Sequence, residues 1–160
     1  MISKKIAEIL VEDMEQFVTP SDEVAHLRLS HKLDHALLIL TNVGFSVIPV
    51  LDDDMKFKGL VSMPGVMRAI MDVEDVNFDK LGDITVESVL EHHYAAVTYP
   101  FELEDVLRLL VHHAFVSVTE PDGTFIGIIT RSELLKGTNR LAHELENMYD
   151  LVEKEFRTMA

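Results

Sequence analysis

The sequence predicts an α/β fold (α+β by some schemes) of two tandem β-α-β-β-α units packed about a pseudo-twofold axis. Extra helices are expected at both ends. Three observations predict this. Ser46 to Met67, SVIPVLDDDMKFKGLVSMPGVM, aligns without a gap on Ala114 to Leu135, AFVSVTEPDGTFIGIITRSELL, at an offset of 68. Upstream, LDHALLIL (33–40) aligns with LEDVLRLL (103–110) at an offset of 70. Two blocks in the same order, with a loop-sized slip between them, make a tandem repeat. Each block also changes from helical to strand-like patterning at the same point.

The elements follow in order. Residues 1–18 form an N-terminal helix, capped by Ser3, with Ile6, Ile9, Leu10, Met14 and Phe17 on one face. Residues 19–72 are the first unit. It opens with an extended piece, Val24 to Leu29, and a helix with Leu33, Ala36, Leu37 and Leu40 at helical spacing. Two short strands rich in Val, Ile and Phe flank the polar turn DDDMK, and a second helix starts after Ser62. Residues 73–82 are a linker, charged but apolar enough at Val73, Val76, Phe78 and Leu81 to pack down. Residues 83–138 repeat the plan. The extended piece is Ala95 to Tyr99, closed by Pro100, and the helix carries Leu103, Val106, Leu107 and Leu110. Pro121, Asp122 and Gly123 supply the stronger hairpin signal. Residues 139–160 hold a C-terminal helix, roughly Asn139 to Phe156, with a stripe of Leu141, Leu145, Met148, Val152 and Phe156 read first as intramolecular core, with a self-association seam as the alternative. A half this small can hardly bury its own sheet, so the halves should pack face to face.

Composition narrows the function. A net charge of −14 excludes the broad basic surface that DNA or RNA binding needs, and it argues against docking on anionic lipid. An anionic ligand must therefore be small and met by a few local donors. The chain has no cysteine, so a disulfide framework or thiolate metal site is excluded, which fits a reducing cytoplasm. Glu8, Glu12 and Asp13 stand where a signal peptide needs an apolar core. The longest apolar run, Ala36 to Leu40, is far short of the ~20 residues of a membrane helix. A soluble, cytoplasmic, non-membrane protein is expected.

Chemistry by catalysis has little support. No phosphate-binding glycine loop, nucleophile elbow or cysteine nucleophile is present. Asp52 to Asp54 lack the alternation and distal glutamate of a calcium loop, so a solvated turn is the better reading. His31 and His35 are spaced to share a helix face, yet no third ligand lies at a definable spacing. His92/His93 and His112/His113 are adjacent pairs whose side chains diverge. No metal site and no enzymatic activity are expected.

The pair IPVLDDD…GLVS and VSVTEPDG…GIITRSEL resembles a pair of CBS domains, the Bateman module, over about residues 12–138. The run VAHLRLSHKLDHALLILTNVGFSVIPVLD (24–52), with ITVESVL, FVSV and FIGIITR downstream, resembles the stand-alone cyclic di-AMP-binding CBS proteins of Gram-positive bacteria, the DarB/CbpB type. The resemblance implies a homodimeric receptor that binds one cyclic dinucleotide per chain. It also implies that the unliganded form docks on cytoplasmic proteins, a (p)ppGpp synthetase/hydrolase among them.

A cleft between two such halves suits adenine, with strand edges for the base and a helix N-terminus for the phosphate. In the second half Thr130 offers a hydroxyl as N-cap, and Arg131 with the first-turn amides at Ser132 and Glu133 can meet a phosphate oxygen. Glu133 can accept from a ribose hydroxyl; equally, T-x-x-E is a capping box in which Glu133 reaches back to the Thr130 amide and Arg131 is solvated. The equivalent first-half stretch, Ser62 to Gly65, has a hydroxyl but neither acid nor base, which predicts one polar arm per chain. The family's pocket, carried over, adds Val24, Ala25 and His26 on one side and Phe45, Ser46, Val47, Ile48 and Pro49 on another. Glu23 and Ser132 stand where the family often has basic residues, each loss costing roughly 1.5–3 kcal/mol of charge-assisted bonding. Lys136, Lys32 or a protonated His26 could partly compensate. The expected ligand is cyclic di-AMP, with AMP, ADP or ATP, or a scaffold whose nucleotide site has decayed, as the alternatives.

Overall fold

The structure is a computed structural model and describes residues 14–148. Among these residues seven strands form two sheets. The first half carries β2 (Leu27–Arg28), β3 (Val47–Leu51) and β4 (Phe57–Ser62) in the order β2-β3-β4. The second carries β5 (Ala96–Thr98), β6 (Phe115–Thr119) and β7 (Phe125–Thr130), and β1 (Val18–Pro20) from the start of the chain joins it, giving β1-β7-β6-β5. Helices α1 (Leu33–Asn42) and α2 (Met63–Ile70) cover the first sheet, α3 (Leu103–Leu110) and α4 (Arg131–Met148) the second.

The repeat is visible in the register. In each half a short strand runs parallel to the middle strand, and the middle strand pairs antiparallel with the last. The two ladders shift at equivalent points, Val50/Leu51 and Val118/Thr119. The hairpin turns meet across the pseudo-twofold: Phe57 N donates to Gly123 O at 3.0 Å and Phe125 N to Met55 O at 2.9 Å. These are the same bond with the halves exchanged. Lys56 Nζ adds a 2.6 Å ion pair with Asp122 of the other turn.

Three apolar clusters follow from the strand alternation. Ile48, Val50 and Val61 face α1 and α2, with Leu33, Ala36, Val66 and Ile70. Val116, Val118 and Ile129 face α3 with Leu103 and Val106. The opposite sheet faces supply Leu51, Leu60, Phe115, Phe125 and Ile128, which with Val24 form the layer between the halves.

Each half is also crossed by the segment that precedes the other half. Thr19 of β1 pairs with Ile128, and Glu91 bridges to Leu60, the residue equivalent to Ile128. A glycine sits under each crossing. A Cβ on Gly127 would lie 2.0 Å from Thr19 O, and one on Gly59 2.5 Å from Glu91 O. The repeated glycine of GLVS and GIIT is thus required by close backbone approach.

Several expectations are corrected. The N-terminal helix of residues 1–18 does not extend to 18: Met14–Phe17 is a 3-10 turn and Val18 begins a strand, while residues 1–13 lie outside the described residues. Of Val24 to Leu29 only Leu27–Arg28 is strand, and Ala95 to Tyr99 contracts to Ala96–Thr98. In the linker Leu81 is buried and Val76 packs on the first core, but Val73 and Phe78 are exposed. The C-terminal helix does not begin near Asn139; α4 runs unbroken from Arg131 to Met148. Gly137 lies inside it, against the ring of Phe17, where a Cβ would come within 1.7 Å of Cε1. The stripe from Leu141 to Phe156 lies outside the residues whose side chains are described.

Candidate functional site

Between the halves opens a cleft of about 450 Å³. Its floor is apolar: Val47, Ile48 and Pro49 of β3, Phe115 of β6 and Ile128 of β7. Phe45 stands at the mouth, its ring 5.7 Å from that of Phe115 and nearly perpendicular to it. Val24 and Ala25 form a side wall from the loop before β2, and Thr130, Ser132 and Glu133 bring the start of α4 to the far end. The crossing of β1 adds Thr19 and, just beyond it, Glu23.

Nine of the twelve sequence-predicted residues therefore line one cleft. Three do not. His26 is folded back, its Nδ1 donating to Val24 O at 3.1 Å. Ser46 is exposed, and its carbonyl accepts from Met63 N at 2.8 Å, tying β3 to the start of α2. Arg131 points away: Nε donates to Leu110 O at 2.6 Å and Nη2 to Val111 O at 3.2 Å. Those carbonyls end α3, so the guanidinium caps a helix C-terminus, where a cation is electrostatically favoured. It is neither simply solvated nor turned to the cleft. Sequence reasoning missed Thr19, Val43, Gly44, Phe115 and Ile128 as lining residues; the parity of Phe115 with Val47 at the repeat offset was the available signal.

The polar end is built as an N-cap. Thr130 Oγ1 accepts from Glu133 N at 3.1 Å. The Glu133 carboxylate accepts from Lys136 Nζ at 2.6 Å, so the reciprocal half of the capping box is replaced by an exposed i,i+3 ion pair. What remains is a hydroxyl, first-turn amides and the positive end of an 18-residue helix, facing an apolar slot with two carboxylates on its rim. Such a slot can sandwich a planar base and present amides to an oxyanion.

The equivalent corner of the first half differs from expectation. Ser62 Oγ accepts from Gly65 N at 3.0 Å and donates to Glu91 Oε1, and Arg68 Nη2 lies 3.7 Å from the same oxygen. That corner has both an acid and a base, brought in by the crossing segment and by Arg68 in the last turn of α2. Away from the clefts, His31 Nδ1 accepts from Arg28 N at 3.1 Å, and its ring meets His35 edge-on at 4.5 Å. Burial first, then the neighbouring His35, Arg28 and His26, lower the His31 pKa. Among the described residues no group of three or more His, Asp or Glu side chains is placed to hold a metal ion, and no helix is long and apolar enough to cross a membrane.

Comparison with known proteins places this geometry. The CBS domain model matches residues 11–72 and 84–138. The chain is 34% identical over 140 residues to cyclic di-AMP receptor B of Bacillus subtilis, spanning 88% of this chain and 95% of that one. Among solved structures, CbpB of Listeria monocytogenes in complex with c-di-AMP superposes with a TM-score of 0.74 at 38% identity, covering 82% of this chain and 98% of CbpB. A conserved protein of Geobacillus kaustophilus reaches 42% identity and a TM-score of 0.75, covering 79% of this chain and 95% of its own. With both repeats matched and the crossed two-sheet architecture in place, the chain belongs to the CBS-domain family, as a tandem pair.

Proposed function

We propose that this chain is a non-enzymatic receptor for an adenine nucleotide, cyclic di-AMP before AMP, ADP or ATP, bound in the cleft between its CBS repeats. One observation carries the reading: an apolar slot between two sheets ends on the Thr130 hydroxyl and the N-terminus of α4. An adenine lies between Pro49 and Val24 on one side and Phe115 and Ile128 on the other. The strand edges satisfy its ring nitrogens, and the first-turn amides at Ser132 and Glu133 meet a phosphate. Glu133 exchanges Lys136 for a ribose hydroxyl. Arg131 reaches the second phosphate only by leaving the carbonyls of Leu110 and Val111, which couples ligand binding to the end of α3. Because Glu23 and Ser132 supply no positive charge, that exchange matters more here than in a chain with basic residues at both places.

The receptor acts as a cytoplasmic homodimer whose unliganded form engages a partner enzyme, a (p)ppGpp synthetase/hydrolase being the one the family resemblance implies. Exposed Val111 and Leu135, beside the Arg131 cap, form the surface that the ligand alters. Calorimetric titration with cyclic di-AMP, AMP and ATP tests the reading. One equivalent of cyclic di-AMP per chain, bound at least tenfold tighter than AMP, is expected. Binding of AMP or ATP without cyclic di-AMP replaces the ligand, and silence from all three replaces the receptor by a scaffold. A ligand at 100 times its Kd raises stability by roughly 2.7 kcal/mol, so thermal shift gives the same answer with less protein. Light scattering reports the dimer, and pull-down of the synthetase with and without nucleotide reports the partner.

A further inference from the structure

We propose that Glu91 is an internal anion that shuts the pseudo-symmetric second cleft, leaving the chain with one open nucleotide site. The proposal goes beyond the receptor reading and draws on it only for the choice of probe.

The two clefts can be compared residue by residue through the repeat. Thr130 and Glu133 of the open cleft correspond to Ser62 and Gly65 at the start of α2. Thr19, which crosses β7 at Ile128 and lines the open cleft, corresponds to Glu91, which crosses β4 at Leu60. Thr19 crosses within a three-residue ladder, and Glu91 at a single bridge in which Leu60 N donates to Glu91 O at 3.0 Å and Glu91 N to Leu60 O at 2.8 Å. The difference lies in the side chain. Thr19 leaves its cleft open, whereas the Glu91 carboxylate takes the Ser62 hydroxyl at the N-terminus of α2, with Arg68 Nη2 at 3.7 Å.

Gly65 makes this possible. A Cβ there would stand 2.9 Å from Glu91 Oε1, so any residue with a side chain would displace the carboxylate. The position that supplies an acid in the second half is emptied in the first, and an acid from the crossing segment fills the space. The carboxylate therefore occupies the hydroxyl, the helix N-terminus and the cation that an incoming phosphate would need. A second observation points into the same cleft. Ser117 is fully buried, and its Oγ has no hydrogen-bond partner among the described residues. It corresponds to Pro49 of the open cleft, and strand alternation turns it with Phe115 toward the space between the sheets. A buried hydroxyl without a partner is costly in a sealed core and useful in a cleft that opens.

The test follows the amides of the two corners by NMR during AMP titration of the wild-type chain, Glu91→Ala and Glu91→Gln. In the wild type the Ser132 amide shifts and the Gly65 amide does not. In both variants Gly65 also shifts, saturably, with an apparent affinity at least about tenfold above any wild-type response at that corner, since a like charge facing the phosphate is removed. Glu91→Gln keeps the shape and an acceptor for Ser62, so it carries the test where Glu91→Ala loosens the crossing. A Gly65 shift in the wild type at the same concentrations, or none in either variant, overturns the proposal. A Ser132 amide that never moves overturns the receptor reading instead, so the two failures are read from different residues.

Discussion

Replacing Gly127 by Ala tests whether the crossing of β1 over β7 holds the cleft together. The added Cβ would stand 2.0 Å from Thr19 O and 3.0 Å from Val18 Cγ1. The first contact is with backbone, so no rotamer relieves it. The φ of +159° adds a smaller penalty for a residue with a Cβ. Relief requires β1 to move off, which disrupts the ladder of Val18, Thr19 and Pro20 on Ile129, Ile128 and Gly127. Overpacking of this kind costs about 1–3 kcal/mol, and each lost ladder bond about 0.5–1.5 kcal/mol net, so a total of about 2–4 kcal/mol is expected. Urea unfolding followed by circular dichroism measures it. Thr19, Val24 and Ala25 hang from this crossing and line the cleft, so nucleotide affinity should fall together with stability. Gly82→Ala is the control, since a Cβ there meets nothing within 4 Å. If Gly127→Ala falls within about 0.5 kcal/mol of the wild type, the range of an ordinary surface change, the crossing is not what holds β1 in place.

Other outcomes are equally specific. Arg131→Ala removes two bonds to the carbonyls of Leu110 and Val111 and a cation from the end of α3; at this exposed site it should cost about 1 kcal/mol in chemical unfolding, and Arg131→Lys should recover part of it. Phe17→Ala empties the space above Gly137 and should cost about 3–5 kcal/mol by the same measurement, because the ring is buried and shared between the second core and α4. The bond from Lys56, then those from the Thr124 amide and hydroxyl, hold the Asp122 carboxyl far below the usual carboxylate range. A depressed native pKa stabilises the fold above the unfolded value of about 3.9, and that contribution is lost as pH falls below it. Unfolding midpoints measured from neutral pH into acid should therefore drop less steeply below about pH 4 for Lys56→Met than for the wild type.

The repeat, the hairpins and the helices flanking them were legible because each rests on local chemistry read twice. Helical spacing gave α1 and α3, and turn residues gave both hairpins. What failed to show was every feature decided by the other half. Val18–Pro20 is too short to declare itself a strand, and its partner Gly127 lies in the opposite repeat. Arg131 reads locally as a first-turn residue; only tertiary packing delivers the carbonyls of α3 to its guanidinium. Gly137 looks like a place for a helix to stop, yet Phe17 uses its bare surface and α4 continues. Nine of the candidate site residues line one cleft: the repeat pointed to Thr130, Ser132 and Glu133 at the start of α4, whereas Val24, Ala25, Phe45, Val47, Ile48 and Pro49 came from the family resemblance. Glu91 lies in an irregular stretch with no periodicity, so nothing in the chain order announced it.

That last point explains how two copies of one unit came to differ in use. The backbones at the starts of α2 and α4 are alike: a hydroxyl caps each helix by accepting from the amide three residues on. What separates them is the fourth position and the residue that crosses above it. Glutamate at 133 carries its acid on the rim, where Lys136 takes it and the hydroxyl of Thr130 still faces the slot. Glycine at 65 leaves a hole, and Glu91 fills it from above. Threonine at 19 is too short to do the same to Thr130. Opening one cleft and closing the other thus required no change of fold, only an exchange of an acid between the start of the helix and the segment that crosses the sheet beside it.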